Sequence, residues 1–175
     1  MDGLETEVAD PPGDPRDGVA ALFHDNRLKL LRLAVLMVGD EATAEDVVQD
    51  AFIGLHRRWS GLDDERKAPA YARASVLNGC RSVLRRRSIA RRLGIVHEPP
   101  VWSAESEVLV GEERRGVMEA LQKLPRRRRE VLVLRYYLDL GDAEIAEAMG
   151  IAEVTVRTTA ARALTALARL LGNQE

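Results

Sequence analysis

Residues 142–157, DAEIAEAMGIAEVTVR, decide the fold of the C-terminal part of this 175-residue chain. The pattern predicts a short helix that ends at Gly150, a tight turn, and a second helix that runs to about Leu171, which together form a helix-turn-helix. Glycine suits the turn because it adopts the positive φ that terminates a helix. Four apolar residues are predicted to form the contacts between the two helices: Ile145, Met149, Ile151 and Val156.

The start of the second helix is the part of such a motif that enters the major groove of DNA. We therefore predict a DNA-binding surface made by Thr155, Arg157, Thr158 and Arg162. A helical hairpin with no role in DNA binding would show the same apolar spacing. Both helix starts are weakly capped, at Gly141 and Ala152, because neither residue carries the side-chain oxygen that a good N-cap supplies.

Upstream of the motif, the sequence predicts two helices, Glu112–Leu124 and Pro125–Asp139, since proline is favoured in the first turn of a helix. The apolar run 131–138 could form a strand by composition, but no partner strand is predicted, and a buried helix is favoured. Together with the helix-turn-helix, these helices define a domain at 112–172.

The N-terminal half predicts three helices by apolar periodicity: Val19–Val38, Ala44–Trp59 and Ala70–Arg87. They define a domain at 18–88, whose last two helices are joined by a charged loop at Gly61–Pro69. Residues 89–111 are predicted to be a linker, because periodicity is lost and Gly and Pro recur there. Residues 1–17 carry six acidic residues against one arginine, and we predict a disordered acidic tail. The predicted fold is therefore all-α, with two small helical domains and a flexible linker.

Charge is distributed in blocks, although the net charge is only −2. Residues 81–92 hold six arginines and no acid, and residues 123–129 hold a lysine and four arginines. Arginines often line solvated helix faces, but two such clusters beside helical motifs favour binding to a polyanion such as nucleic acid.

Several classes of function are disfavoured by composition. No apolar run is long enough to cross a membrane, and the acidic N-terminus does not resemble a signal peptide. The single cysteine, Cys80, cannot form an internal disulfide and suits a reducing cytoplasm. Three distant histidines give no metal-ligand spacing, and no glycine-rich phosphate loop or nucleophile–base set is present, so we expect neither a metal, a cofactor nor an enzyme.

Three stretches of sequence, taken in their order along the chain, resemble those of one known protein family, and the resemblance spans about residues 18–172. They are VLMVGDEATAEDVVQDAF at 35–52, Asn78 with the arginine-rich helix around it, and LPRRRREVLVLRYYLDL at 124–140, which leads into the helix-turn-helix. In this order they resemble the extracytoplasmic function (ECF) sigma factors of bacterial RNA polymerase. The Val38-Gly39-Asp40 and Arg135–Asp139 details are similar to an actinobacterial subgroup.

The resemblance implies a role for each domain. One stripe would bind the coiled coil of the polymerase β′ subunit, and it consists of Asp46, Gln49, Asp50 and Ile53. The chain would also contact the β subunit of core polymerase. The loop 61–69 and the following helix would melt and read the −10 promoter element, with contacts from Tyr71, Asn78, Arg81 and Arg85. The helix-turn-helix would read the −35 element, and an anti-sigma factor is a possible further partner.

A stand-alone helix-turn-helix regulator is the alternative. It would explain residues 112–172, but it would leave residues 42–87 without a role.

Overall fold

The computed structural model describes residues 15–62, 64–95 and 115–172, and all secondary structure in these ranges is helical. Residues 1–14 of the tail predicted at 1–17, and most of the predicted linker, lie outside the described residues. Residues 15–17 were wrongly assigned to the tail, because they form the start of the first helix. We number the α-helices in chain order: α1 Pro15–Val38, α2 Glu41–Arg58, α3 Ala68–Arg92, α4 Arg115–Lys123, α5 Arg126–Leu132, α6 Asp142–Met149 and α7 Glu153–Gly172. Short 3-10 turns at Trp59–Gly61 and Glu65–Lys67 lead from α2 into α3.

Helix α1 is the centre of the molecule. Its C-terminal half is apolar almost all round, and Leu33, Val35 and Met37 are completely buried. Such a helix must be covered on several sides. Helices α2 and α3 pack on it to form the N-terminal domain, and the ring of Phe23 meets that of Phe52 on α2 edge-on, with 4.9 Å between centroids.

The turn between α1 and α2 is closed by side chains as well as by backbone. Gly39 has φ 90°, which favours glycine. Asp40 is the N-cap of α2, and its Oδ1 accepts a hydrogen bond from the backbone N of Thr43 at 2.8 Å. Helix α2 therefore begins three residues earlier than the sequence predicted.

Helix α3 extends at both ends beyond the predicted Ala70–Arg87. It continues to Arg92 and is terminated by Gly94 at φ 71°, with the N–H of Ile95 donating to the carbonyl of Ala90. Cys80 is fully buried at the centre of its inner face. Ala74, on the opposite face of the helix, is exposed.

Helix α5 passes directly into a π-helical segment, Val133–Tyr137. The prediction of a core helix here is correct, but the helix ends two residues early. Asp139 has φ 54°, a left-handed conformation that aspartate tolerates better than most residues. The N–H of Leu140 then donates to the carbonyl of Leu134, which closes the end of the segment.

The helix-turn-helix forms as predicted from α6 and α7. Gly150 ends α6 in the left-handed conformation, at φ 64°. The weak cap at Gly141 is partly offset because its N–H donates to Oε2 of Glu144 at 2.9 Å. Val156, Ala160 and Ala163 are buried on the inner face of α7, whereas Leu164 is 41% exposed.

The two domains pack against each other, which the sequence did not predict. Their buried residues form one connected core. Across the boundary, the Gln122 side chain donates to the carbonyl of Leu36 at 2.8 Å, and the Tyr137 hydroxyl donates to the carbonyl of Lys29 at 2.9 Å. Helix α1 is thus a structural element of both domains.

Candidate functional site

The predicted partner-binding stripe lies on the solvent face of α2. Asp46, Gln49, Asp50 and Ile53 are all exposed, while Val47, Val48 and Phe52 on the same helix face the core. Ile53 is 44% exposed, so the stripe includes an apolar side chain beside its polar ones. The stripe combines two carboxylates, an amide and an exposed apolar group, a composition that suits contact with another protein.

The four residues predicted on α3 do not share one environment. Tyr71 is half-buried and packs against the core, while Asn78 and Arg85 are exposed. Arg81 lies at the boundary between the domains, and its side chain is 23% exposed. Asn78 and Arg81 lie together, since Nη1 of Arg81 donates to Oδ1 of Asn78 at 2.9 Å.

Arg81 is engaged mainly by the C-terminal domain. Its Nε donates to Oε1 of Glu130 at 2.7 Å, and Nη2 also pairs with this oxygen. The same Nη2 donates to the backbone carbonyl of Ala148, on the first helix of the helix-turn-helix, at 2.7 Å. Glu130 is 2% exposed, and sequence reasoning gave no role to it.

Two arginines of the basic clusters stabilise the fold. Arg87 donates to the carbonyl of Val38 and to Oδ2 of Asp40, both at 2.6 Å, and to the hydroxyl of Thr43 at 3.0 Å. Arg129 is 7% exposed and bonds to the backbone carbonyls of Met37 and Gln122. Sequence reasoning assigned both to a polyanion-binding surface.

The burial of Arg129 has an electrostatic cost. Burial, together with the nearby positive charges of Arg87 and Arg91, lowers its pKa to about 10. Its Nε finds no acceptor among the described residues. The two basic clusters, far apart in sequence, are therefore close in space.

The recognition surface predicted on α7 is exposed as a unit. Thr155, Arg157, Thr158 and Arg162 all face solvent. Nη1 of Arg157 lies 3.6 Å from Oδ2 of Asp142 and 3.7 Å from Oε2 of Glu153, so two carboxylates flank it. The Thr158 hydroxyl lies 3.1 Å from the carbonyl oxygens of Val154 and Thr155. In this structure it therefore donates to the backbone of its own helix.

The loop before α3 exposes two cations that the sequence did not single out individually. Arg66 lies almost entirely in solvent, and Lys67 is also exposed. Asp64 Oδ1 accepts from the backbone N and from Nε of Arg66, both at 3.0 Å, and these hydrogen bonds lower the pKa of Asp64. The loop thus places two cations next to the start of α3, in a segment whose sequence also holds the three acidic residues Asp63, Asp64 and Glu65.

Other kinds of site receive no support within the described ranges. Among these residues, no group of three or more His, Cys, Asp or Glu side chains could hold a metal ion. No helix described here is both long enough and apolar enough to cross a membrane.

Comparison with known protein families identifies both domains. Residues 22–89 match the family described as Sigma-70 region 2, and residues 114–167 match Sigma-70, region 4. The chain is 32% identical to the RNA polymerase sigma-E factor of Streptomyces avermitilis, over 83% of this chain and 80% of that protein. It is 31% identical to the ECF RNA polymerase sigma factor SigM of Mycobacterium tuberculosis, over 86% of this chain and 76% of that protein.

Two solved structures share the fold. One is CnrH in complex with the cytosolic domain of CnrY, with a TM-score of 0.67 and 24% identity over 93% of this chain and 92% of that one. The other is the sigma factor RpoE of Bartonella quintana in complex with the anti-sigma factor NepR, with a TM-score of 0.68 and 21% identity over 87% of this chain and 97% of that one.

Proposed function

We infer that this chain, which belongs to the ECF family of RNA polymerase sigma factors, uses both of its domains in promoter-directed initiation. Each domain acts through the surface described above. The chain is a sigma factor: it binds core RNA polymerase and directs it to promoters. The observation that carries this conclusion is the extent of the match, since relatives named as sigma factors align with both domains in the same order. A stand-alone regulator would need only the C-terminal domain.

The direct experiment is transcription in vitro. We expect the chain to give specific run-off transcripts when it is added to core polymerase on a promoter template, and to bind promoter duplex weakly alone. Tight sequence-specific binding without polymerase, together with no transcript in its presence, would support the stand-alone regulator.

For the N-terminal domain we propose that the α2 stripe binds the β′ coiled coil of core polymerase. Its support is the continuous exposure of Asp46, Gln49, Asp50 and Ile53 on a helix whose other face is buried. Asp50→Arg should abolish capture by core polymerase while circular dichroism remains unchanged, and Glu147→Arg is the matched control, because it makes the same charge change on α6. Wild-type capture of Asp50→Arg would remove this face from the interface.

We propose that the loop 61–69 and α3 contact the −10 element through Tyr71, Asn78, Arg81 and Arg85. Arginine supplies charge for phosphate, and an exposed amide can hydrogen-bond an unstacked base. Arg85 is exposed and available in this structure, whereas Arg81 first has to leave Glu130.

We propose that α7 reads the −35 element through Thr155, Arg157, Thr158 and Arg162. Arg157→Ala should reduce binding to the preferred −35 sequence by about 1–3 kcal/mol if the guanidinium contacts a base. An equal loss on every sequence would instead make Arg157 a phosphate contact.

We further propose a cytoplasmic location, where polymerase and DNA are found, and no catalytic activity of its own, since initiation factors guide an enzyme. An anti-sigma protein is a proposed partner, because one structure of similar fold is a complex of a sigma factor with such a protein.

A further inference from the structure

We propose that Val154 is a further specificity-determining residue of α7, and that it reads a thymine of the −35 element through the C5 methyl group of that base. The proposal rests on the proposed function of α7 in binding the −35 element. It adds an apolar contact to the polar and charged side chains that were assigned to this helix above.

Val154 lies in solvent at the start of α7. It is the second residue of the helix, it is 59% exposed, and it is not part of the connected core. Val156, two residues later, is completely buried and holds the helix in place. Valine has one strongly preferred side-chain rotamer in a helix, so Val154 presents a fixed apolar surface to any partner of this face.

Val154 is also at the centre of the solvent face of α7. At about 100° per residue, Val154, Thr158 and Ala161 fall within about 60° of one another, and all three are exposed. The buried residues Val156 and Ala160 lie on the other side of the helix. The Thr158 hydroxyl donates its proton to the backbone of its own helix. The centre of this face, which we call the apolar sector, is therefore poor in hydrogen-bond donors.

Cations flank the apolar sector on both sides. Arg157 lies about 40° beyond Ala161, and Arg162 lies about 40° beyond Thr158. Glu153, one of the two carboxylates beside Arg157, lies on the far side of that arginine from the apolar sector. A helix face that is apolar in the middle and positively charged at its edges suits the major groove, where base edges lie between two phosphate backbones.

The base that an aliphatic side chain recognises in the major groove is thymine. Its C5 methyl is the one aliphatic group that the four bases present there, whereas the other bases are distinguished by their hydrogen-bonding groups. The first residues of a recognition helix are those that contact base edges. Val154 has no side-chain donor or acceptor, so its discrimination between bases has to come from burial of this methyl group.

The test uses holoenzyme assembled from the full chain and core polymerase. The preferred −35 sequence is first selected from promoter duplexes that are randomised in this region. Each thymine in it is then replaced singly by deoxyuridine, which lacks only the C5 methyl group. We expect at least one replacement to weaken binding by wild-type holoenzyme about 4-fold, the factor that corresponds to burial of one methyl group.

Val154→Ala should bind the thymine promoter more weakly than the wild type and should not distinguish thymine from uracil at that position. Its fold should be intact, because alanine favours helix more than valine does and position 154 is exposed. Val117→Ala is the matched control, since Val117 is exposed on α4 and the variant makes the same truncation in the same domain. This control should keep the full loss on replacement of the thymine by deoxyuridine.

Three results would overturn the role of Val154. They are tolerance of every deoxyuridine by the wild type, a wild-type response in Val154→Ala, and loss of core polymerase capture by Val154→Ala, which would make the apolar sector a protein contact. If wild-type holoenzyme transcribes but selects no −35 sequence from the randomised duplexes, the proposed function of α7 is itself wrong, and the role of Val154 falls with it.

Discussion

Replacing Asp40 with alanine removes two interactions that hold the α1–α2 turn. Oδ1 caps α2 through the N–H of Thr43 at 2.8 Å, and Oδ2 accepts from Nη2 of Arg87 at 2.6 Å. Loss of a polar N-cap costs ~1 kcal/mol. Arg87 is only 17% exposed, and leaving it without its carboxylate adds about 1–2 kcal/mol. We expect the free energy of unfolding to fall by about 2–3 kcal/mol.

Asp40→Asn separates the two contributions, since an amide oxygen can still cap the helix but carries no charge. We expect a loss of about 1–2 kcal/mol for this variant, measured by equilibrium urea unfolding followed by far-UV circular dichroism. Asp46→Ala is the control, because Asp46 is exposed on the same helix, and its loss should stay within about 0.5 kcal/mol. If Asp40→Ala and Asp46→Ala unfold at the same urea concentration, the reasoning about this turn is wrong.

The carboxylate also gives the stability a pH dependence. Burial raises the pKa of Asp40, but hydrogen bonds from Thr43 and Arg87 outweigh this and hold it below the ordinary value of 3.8. A depressed pKa stabilises the folded state fully above the unfolded value, and this contribution is lost as pH falls through the folded pKa. The difference in stability between wild type and Asp40→Asn should therefore be constant near neutral pH and shrink below about pH 4.

Three further substitutions test the helical framework. Gly150→Ala should destabilise the chain by about 1 kcal/mol in urea unfolding, because φ at Gly150 is 64°; no loss would mean that the turn relaxes. Gly54→Ala should stabilise it by about 0.5–1 kcal/mol, since Gly54 lies inside α2 with nothing within 4 Å of an added Cβ; a lower unfolding midpoint would contradict this. Ile145→Ala should cost about 2–5 kcal/mol, because Ile145 is completely buried between the helices of the helix-turn-helix; a loss below 1 kcal/mol would show that this site repacks.

Local signals in the sequence predicted the parts of the fold that depend on neighbouring residues. The left-handed end of α6 at Gly150 follows from glycine at a helix terminus, and the exposed stripe on α2 follows from the spacing of Asp46, Asp50 and Ile53. Both are set within one or two helical turns. The start of α2 was misplaced because the contact with Arg87 that reinforces Asp40 as the N-cap comes from 47 residues away.

Long-range pairing could not be predicted in the same way. Arg81, Arg87 and Arg129 look like other members of basic clusters, yet each bonds to an acceptor distant in sequence. Periodicity reports which face of a helix is apolar, but not which charged residues at its edge meet another domain. The contact between Arg81 and Glu130 therefore required the tertiary structure.

The burial of Cys80 has a practical consequence. It is the one cysteine in the chain, and burial, with the nearby charge of Glu130, raises the pKa of its thiol to about 12. A maleimide or disulfide reagent needs an accessible thiolate, so the folded protein should be almost inert towards such reagents. The rate of alkylation in native buffer then reports how often α3 leaves the core. The rate of Cys80 alkylation in the unmodified protein is therefore a measure of how often its N-terminal domain opens.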